Sequence, residues 1–398
     1  MITSKTQPPP MPLVRASINL DAIAHNLKEL AQIPEPDVKI MAVVKADAYG
    51  HGAVQVAGTA VKSGADWLGT ARIHEGIHLR ENGLDVPILI FGYTPPALAD
   101  ELMKYDLSQT ISSQENAVKL SNAATAFGGR IKIHLKIDSG MGRFGFLVGS
   151  PSDTASLQKT EKVQAIIKDI LSIARLPGLE MTGICTHFAA ADSSDKAYSN
   201  TQFEFFMGII EKLNKAGLDF SIRHAANSAA IIDMPDTHLD MVRAGISLYG
   251  FYPSDQVNKD AVDLIPAMEL AAGIAHLKKV PAGFHVSYGP TYSTSKPTTL
   301  ATVPIGYADG YSRLLSSKGH MLVHGIKAPI VGRVCMDMTI IDVGHIPDVC
   351  VEDKVIIFGR QNDAVLTVDE IAETLDTITY EIVSSITARV PRIYIQNV

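Results

Sequence analysis

Lys45 ends the apolar run at 40–44 and is followed by the polar turn Ala-Asp-Ala-Tyr-Gly-His-Gly at 46–52. Period-two geometry puts Met41, Val43 and Lys45 on one face of a strand and Ile40, Ala42 and Val44 on the other, so both faces are apolar up to the lysine. A strand covered on both sides belongs in a parallel sheet. An amine at its end is partly desolvated, which lowers its pKa and makes it a candidate nucleophile for a Schiff base. A lysine snorkelling to solvent is the plainer reading of the same residue.

Other residues invite chemistry of a similar kind. The strand at 131–138 alternates, with Lys132, His134, Lys136 and Asp138 on one face. Were that face turned into a barrel, Lys136 and the nearby Arg143 would need an anion between them, and turning Lys136 into a carbamate is one solution. An ion pair between Lys136 and Asp138 or another acid is a second. His187 ends the run at 181–187, where a satisfied core histidine is the ordinary alternative. Ser228, with the backbone amides of Gly245 and Ile246, could form a phosphate cradle at a strand end, whereas Arg243 beside them could equally make a surface salt bridge. Gly140, Gly142 and Gly145 match a dinucleotide fingerprint, but the run after Gly145 reads as a loop and not as a helix with an acid some twenty residues on.

Something must hold these groups. Strands expected near 40–44, 67–70, 88–91, 108–111, 131–137, 181–186, 223–226 and 239–242 alternate with helices near 53–62, 73–81, 97–104, 115–126, 163–174 and 201–216, after a first helix that Asp21 caps. Units of roughly thirty residues point to an α/β fold, a (β/α)8 barrel, with an open doubly wound sheet as runner-up. From about residue 265 the texture changes to short alternating runs broken by glycine and proline, which reads as a C-terminal mostly-β domain. The expected division is a lead-in at 1–14, a barrel at 15–263 and the β domain at 264–398. The segment at 147–162 reads as an enlarged surface loop.

With 398 residues, 46% apolar and 19% charged, the chain is ordinary for a globular protein. A net charge of −7 argues against a nucleic-acid partner. Cys185, Cys335 and Cys350 are too scattered for a disulfide framework or a metal site. No apolar run is long enough for a leader or a membrane span. The expectation is a cytoplasmic protein without metal.

The run Val-Val-Lys-Ala-Asp-Ala-Tyr-Gly-His-Gly at 43–52 resembles the pyridoxal-phosphate lysine motif of the alanine racemase family. The similarity extends from Ser17 to Tyr394. It implies a barrel with its catalytic groups at the carboxyl ends of the strands, and a cofactor, pyridoxal 5'-phosphate, carried by Lys45. It further implies that Tyr49, Ser228, Gly245, Ile246 and Tyr380 hold the phosphate, that His187 stacks on the pyridine, and that Arg243 faces the ring nitrogen. By the same resemblance Arg143 lies by the substrate carboxylate, steadied by a carbamylated Lys136. Tyr288 is then the second acid–base group opposite Lys45, and the Met336 amide holds substrate, both reaching in from a partner copy in a homodimer. Tyr307 matches a tyrosine of the channel by which substrate enters.

The implied activity is interconversion of L- and D-alanine, supplying D-alanine for cell walls. A broader-specificity or serine racemase is the nearest alternative. A non-catalytic pyridoxal-phosphate barrel would lack the β domain, and a fold-related decarboxylase would carry a C-terminal cysteine motif that is missing here.

Overall fold

The computed structural model describes residues 12–149 and 160–396. They form two compact units, Leu20–Pro266 and a second in which the segment through Asn19 joins the chain from Ala267 onward.

In the first unit eight strands run parallel: Lys39–Val43, Trp67–Thr70, Ile88–Ile90, Leu107–Ile111, Ile131–Asp138, Leu179–Cys185, Ile222–His224 and Met241–Ala244. The last pairs with the first. Across the remaining seam Asp240 donates its backbone N–H to the Arg223 carbonyl (3.1 Å) and Arg243 to the Ala226 carbonyl (3.1 Å), nearly closing the sheet into a barrel. The interior is packed and not a pore. Met41, Trp67, Leu89, Ile222 and Met241 form one cluster inside it, with Phe91 against them. Gly69 makes room there, since a β-carbon would lie 2.5 Å from the Phe91 ring.

The helices outside follow from spacing and caps. Leu20–Ala31 buries Leu20, Ile23, Leu27 and Leu30, a single apolar stripe. Each such side chain stabilises by about 1.5–3 kcal/mol on burial. Gln114–Ala126 begins where the Ser113 side chain accepts the Asn116 amide. Among the described residues no helix is long and apolar enough to cross a membrane.

The second unit is mostly β, as expected. Its main sheet runs Ile326–Pro329, His320–Val323, Lys354–Gln361, Met268–Gly273, Val14–Asn19 and Arg392–Ile395. A second sheet joins His276–Val280, Thr298–Val303 and Thr339–Asp342, and the hairpin His285–Val286 with Tyr292–Ser293 carries Tyr288 in its turn. The helices Val368–Leu375 and Thr379–Ser385 interrupt the pattern.

The expected start of the barrel at residue 15 differs from what is seen. Val14–Asn19 pairs antiparallel with Met268–Gly273 and parallel with Arg392–Ile395, burying Ala16 and Ile18, so it is a strand of the β unit. The other boundary falls at Pro266 where 263 was expected. Most of the surface loop expected at 147–162, and most of the lead-in at 1–14, lie outside the described residues.

Candidate active site

Immediately after the Lys39–Val43 strand, Ala46, Asp47, Ala48 and Tyr49 all adopt left-handed backbone conformations, with φ between 52° and 53°. None of the four is glycine, and left-handed backbone costs an L-residue about 1–2 kcal/mol. Hydrogen bonds, two local and one from a distant helix, must therefore hold the turn. Ala48 N–H donates to the Val44 carbonyl (2.9 Å), Ala53 N–H to the Asp47 carboxylate (2.8 Å), and Ala46 N–H to the Glu75 carboxylate (2.7 Å). The turn sets Lys45 half-buried, its Nζ 5.8 Å from the centre of the Tyr49 ring. Burial lowers its pKa, the Arg143 charge adds to that, Glu75 opposes it, and Arg243 lowers it further.

Tyr49 leads into the expected phosphate cradle. Its ring lies 4.9 Å from that of Tyr249, whose hydroxyl donates to the Val43 carbonyl at 2.8 Å. The Ser228 hydroxyl accepts from the amides of Gly245 (2.9 Å) and Ser247 (3.3 Å). A β-carbon on residue 245 would sit 3.3 Å from Ser228 Oγ and 3.4 Å from the Tyr49 hydroxyl, so glycine keeps open a space bordered by two hydroxyls. That space and its donors suit a phosphate.

Arg243 is buried and makes no surface salt bridge. It donates to the carbonyls of Thr186 (3.0 Å) and Ala225 (2.8 Å) and to Nδ1 of His224 (2.9 Å), and Nδ1 of His187 lies 3.3 Å away. A guanidinium offers only donors, so His224 Nδ1 must accept, and its proton sits on Nε2. Nε2 then donates to His134 Nδ1 at 2.9 Å, which leaves the His134 proton on its own Nε2. The chain of donors runs one way, from Arg243 through His224 to His134. Burial, with the Arg243 charge behind it, lowers His134 to about 3, and burial likewise holds His224 and His187 well below the ordinary imidazole range. Burial lowers Arg243 to about 10, which leaves it cationic at neutral pH. Gly183 admits the His134 ring, which a β-carbon would approach to 2.7 Å.

Lys136 faces Cys185 in the parallel ladder. Burial lowers its amine to about 8, and the Arg243 and Arg143 charges add to the shift. Asp138 does not form the ion pair with Lys136 that was one alternative. Its carboxylate accepts the backbone amides of Gly140 (3.0 Å), Met141 (2.9 Å), Gly142 (3.1 Å) and Arg143 (3.1 Å), fixing the loop that presents Arg143. That loop runs on to the short strand Phe146–Leu147, and no helix opens on its glycines. This disposes of the dinucleotide fingerprint.

The barrel thus gathers Lys45, Tyr49, Lys136, Arg143, His187, Ser228, Arg243, Gly245 and Ile246 on the carboxyl-end side of its strands. The remaining expected residues belong to the β unit. Tyr288 is 71% exposed, Met336 52% and Tyr307 42%. Tyr307 N–H donates to the Cys335 carbonyl (3.1 Å) and Ala308 N–H to that of Met336 (3.0 Å), so these two segments lie side by side. Ser287, next to Tyr288, donates to the Arg333 carbonyl at 2.7 Å and ties the hairpin turn to the same segment. Tyr380 is half-buried in the Thr379–Ser385 helix, which packs on the turn after Tyr307 through Ser385 and Gly310. Glu75, His224, Tyr249 and the backbone-capping role of Asp138 were not picked out by sequence, which placed His134 only on the polar face of its strand and marked Asp138 only as a possible ion pair.

Family models described as alanine racemase, N-terminal domain, and alanine racemase, C-terminal domain, match residues 18–253 and 267–394. An alanine racemase of Desulfosudis oleivorans is 52% identical over 379 residues, covering 95% of this chain and 96% of its own. One from Desulforamulus reducens is 48% identical over 380 residues, covering 96% and 98%. Among solved structures, an alanine racemase of Clostridium difficile 630 superposes with a TM-score of 0.89 at 42% identity, covering 97% of both chains. A complex of that organism's alanine racemase with cycloserine gives 0.87 at 40%, covering 97% and 96%.

Proposed function

The chain belongs to the alanine racemase family, and from that premise we propose how its site works. The protein is an isomerase that interconverts L- and D-alanine, and the two-hydroxyl space kept open by Gly245 is the observation that carries its cofactor assignment. Ser228, Tyr49 and the amides at 245 and 246 would hold the phosphate of pyridoxal phosphate, and the family resemblance adds Tyr380 to that set. When bound, that group supplies an electron sink that acidifies the α-proton of an amino acid.

Lys45, its amine made more nucleophilic by burial, anchors the cofactor and moves the proton on one face. Racemisation needs a second acid–base group on the other face, and Tyr288 of a second copy takes that part. The exposure of Tyr288 and Met336 on the β unit supports a partner's use of them. Arg243 keeps its proton at neutral pH and so does not pass it to the ring nitrogen, which weakens the sink and favours simple proton exchange over transamination. His187 stays uncharged and suits stacking on the ring. Arg143 meets the substrate carboxylate together with the Met336 amide, and Tyr307 lines the way in. Lys136, whose lowered pKa leaves about a tenth of it as free amine at pH 7, takes up carbon dioxide as a carbamate and releases a proton, placing an anion near Arg143. We place the enzyme in the cytoplasm as a homodimer that supplies D-alanine for peptidoglycan.

The purified protein should absorb in the visible region as an imine and lose that band on borohydride reduction. It should racemise L-alanine well ahead of L-serine, and equal rates would defeat the alanine assignment. Tyr288→Phe should lower racemisation by at least about a hundredfold. Full activity in that variant would overturn the two-base reading.

A further inference from the structure

Glu75 lies on the helix Ile73–Glu81, after the second barrel strand, and sequence gives it no distinction from any other helical acid. Its two oxygens nevertheless join two separate turns. Oε2 accepts the backbone amides of Ala71 (2.7 Å) and Arg72 (2.9 Å) at the start of its own helix. Oε1 accepts the amide of Ala46 at 2.7 Å. Helix capping accounts for the first pair of bonds and leaves the third unexplained.

Ala46 N–H belongs to the peptide that follows Lys45. The carbonyl of the peptide that precedes Lys45 is held within the turn by Ala48 N–H, at 2.9 Å. Glu75 supplies the hold on the other side, at the residue where the chain first enters four consecutive left-handed conformations. Left alone, such a run of non-glycine residues relaxes toward right-handed backbone and carries the Lys45 α-carbon with it. We infer that Glu75 is a positioning residue for Lys45, a bridge that fixes the lysine's backbone, and so the place from which its Nζ reaches the α-proton. The inference rests on the reading of Lys45 as one of two opposed acid–base groups.

Glu75→Gln tests it in the holoenzyme. Glutamine keeps the volume, but its Nε2 would point donor to donor at one of the two turns, so only one end of the bridge survives. Amide hydrogen exchange over residues 44–49 should quicken by at least about tenfold. Turnover should fall by about tenfold or more, because small displacements of a reacting group are costly. The sharper readout is the isotope effect on kcat/KM with α-deuterated alanine. It should rise for the enantiomer whose α-proton goes to Lys45 and fall for the other, since only the lysine step has been slowed. Glu75→Ala, which leaves both turns to water, should give the same pattern and serves if the glutamine variant does not fold.

Isotope effects that stay put, or that move together for both enantiomers, would overturn the inference, because general damage to the barrel does not single out one base. Unchanged exchange at 44–49 would overturn it as well. Failure of the two-base reading itself appears separately, in the activity of Tyr288→Phe.

Discussion

Removing the Lys136 amine should make the protein more stable at neutral pH, contrary to the usual effect of deleting a long side chain. The folded state lowers that amine from 10.5 to about 8, chiefly by burial and secondarily by the Arg243 and Arg143 charges. A shift of that size corresponds to about 3 kcal/mol. Because the folded pKa lies below the unfolded one, the cost is fully present below pH 8, where both states hold the proton. It is relieved as the pH rises from about 8 to 10.5, since the folded state gives up its proton first. In buffer free of carbon dioxide, urea unfolding of the full chain should therefore show stability climbing by about 3 kcal/mol across that window relative to Lys136→Met. The variant should be the more stable of the two at pH 7 by a similar amount. Bicarbonate should abolish the difference for the unmodified protein and add the mass of one carbon dioxide to it. An identical pH profile in the two proteins would refute the reasoning.

Two further perturbations address other parts of the site. Gly245→Ala places a methyl 3.3 Å from Ser228 Oγ and 3.4 Å from the Tyr49 hydroxyl, and should weaken pyridoxal-phosphate binding by about tenfold, the worth of one good hydrogen bond. Absorbance titration of the cofactor-free protein measures this, and an unchanged Kd counts against the cradle. His224→Phe strips Arg243 Nη1 of an acceptor and His134 Nδ1 of a donor inside the barrel, and should cost about 2–5 kcal/mol of stability. A urea midpoint that does not move would show that the one-way donor chain is not held as described.

Much of the barrel was legible because its signals are local. The strand Trp67–Thr70 and the helix Ile73–Glu81 fall where periodicity puts them, and the row that holds Lys136 also holds the buried His134 and Asp138, though Lys132 at its start is exposed and pairs with Asp106. The left-handed turn at Ala46–Tyr49 was not legible, because alanine and tyrosine give no hint of positive φ and one of the bonds that hold it comes from Glu75. Glu75 escaped for the same reason, since its partner amide is 29 positions away. Sequence placed His134 only in a polar row and did not single out His224, and their direction of donation depends on Arg243, which only the folded chain brings to them. The place of Val14–Asn19 was hidden by distance, as both of its neighbours lie more than two hundred residues downstream.

That strand decides the order in which a newly made chain can be completed. The barrel has all its residues once Pro266 has been synthesised, whereas Val14–Asn19 must wait for Met268–Gly273, and then for Arg392–Ile395, to gain its two neighbours. Until then its backbone edges are open to foreign strands, one until Met268–Gly273 is made and the other until Arg392–Ile395 follows. Loss of Val14–Asn19 thus injures strands made more than two hundred residues later. The barrel is, in effect, an insertion within a β domain whose first strand is translated before it and whose remaining strands come after.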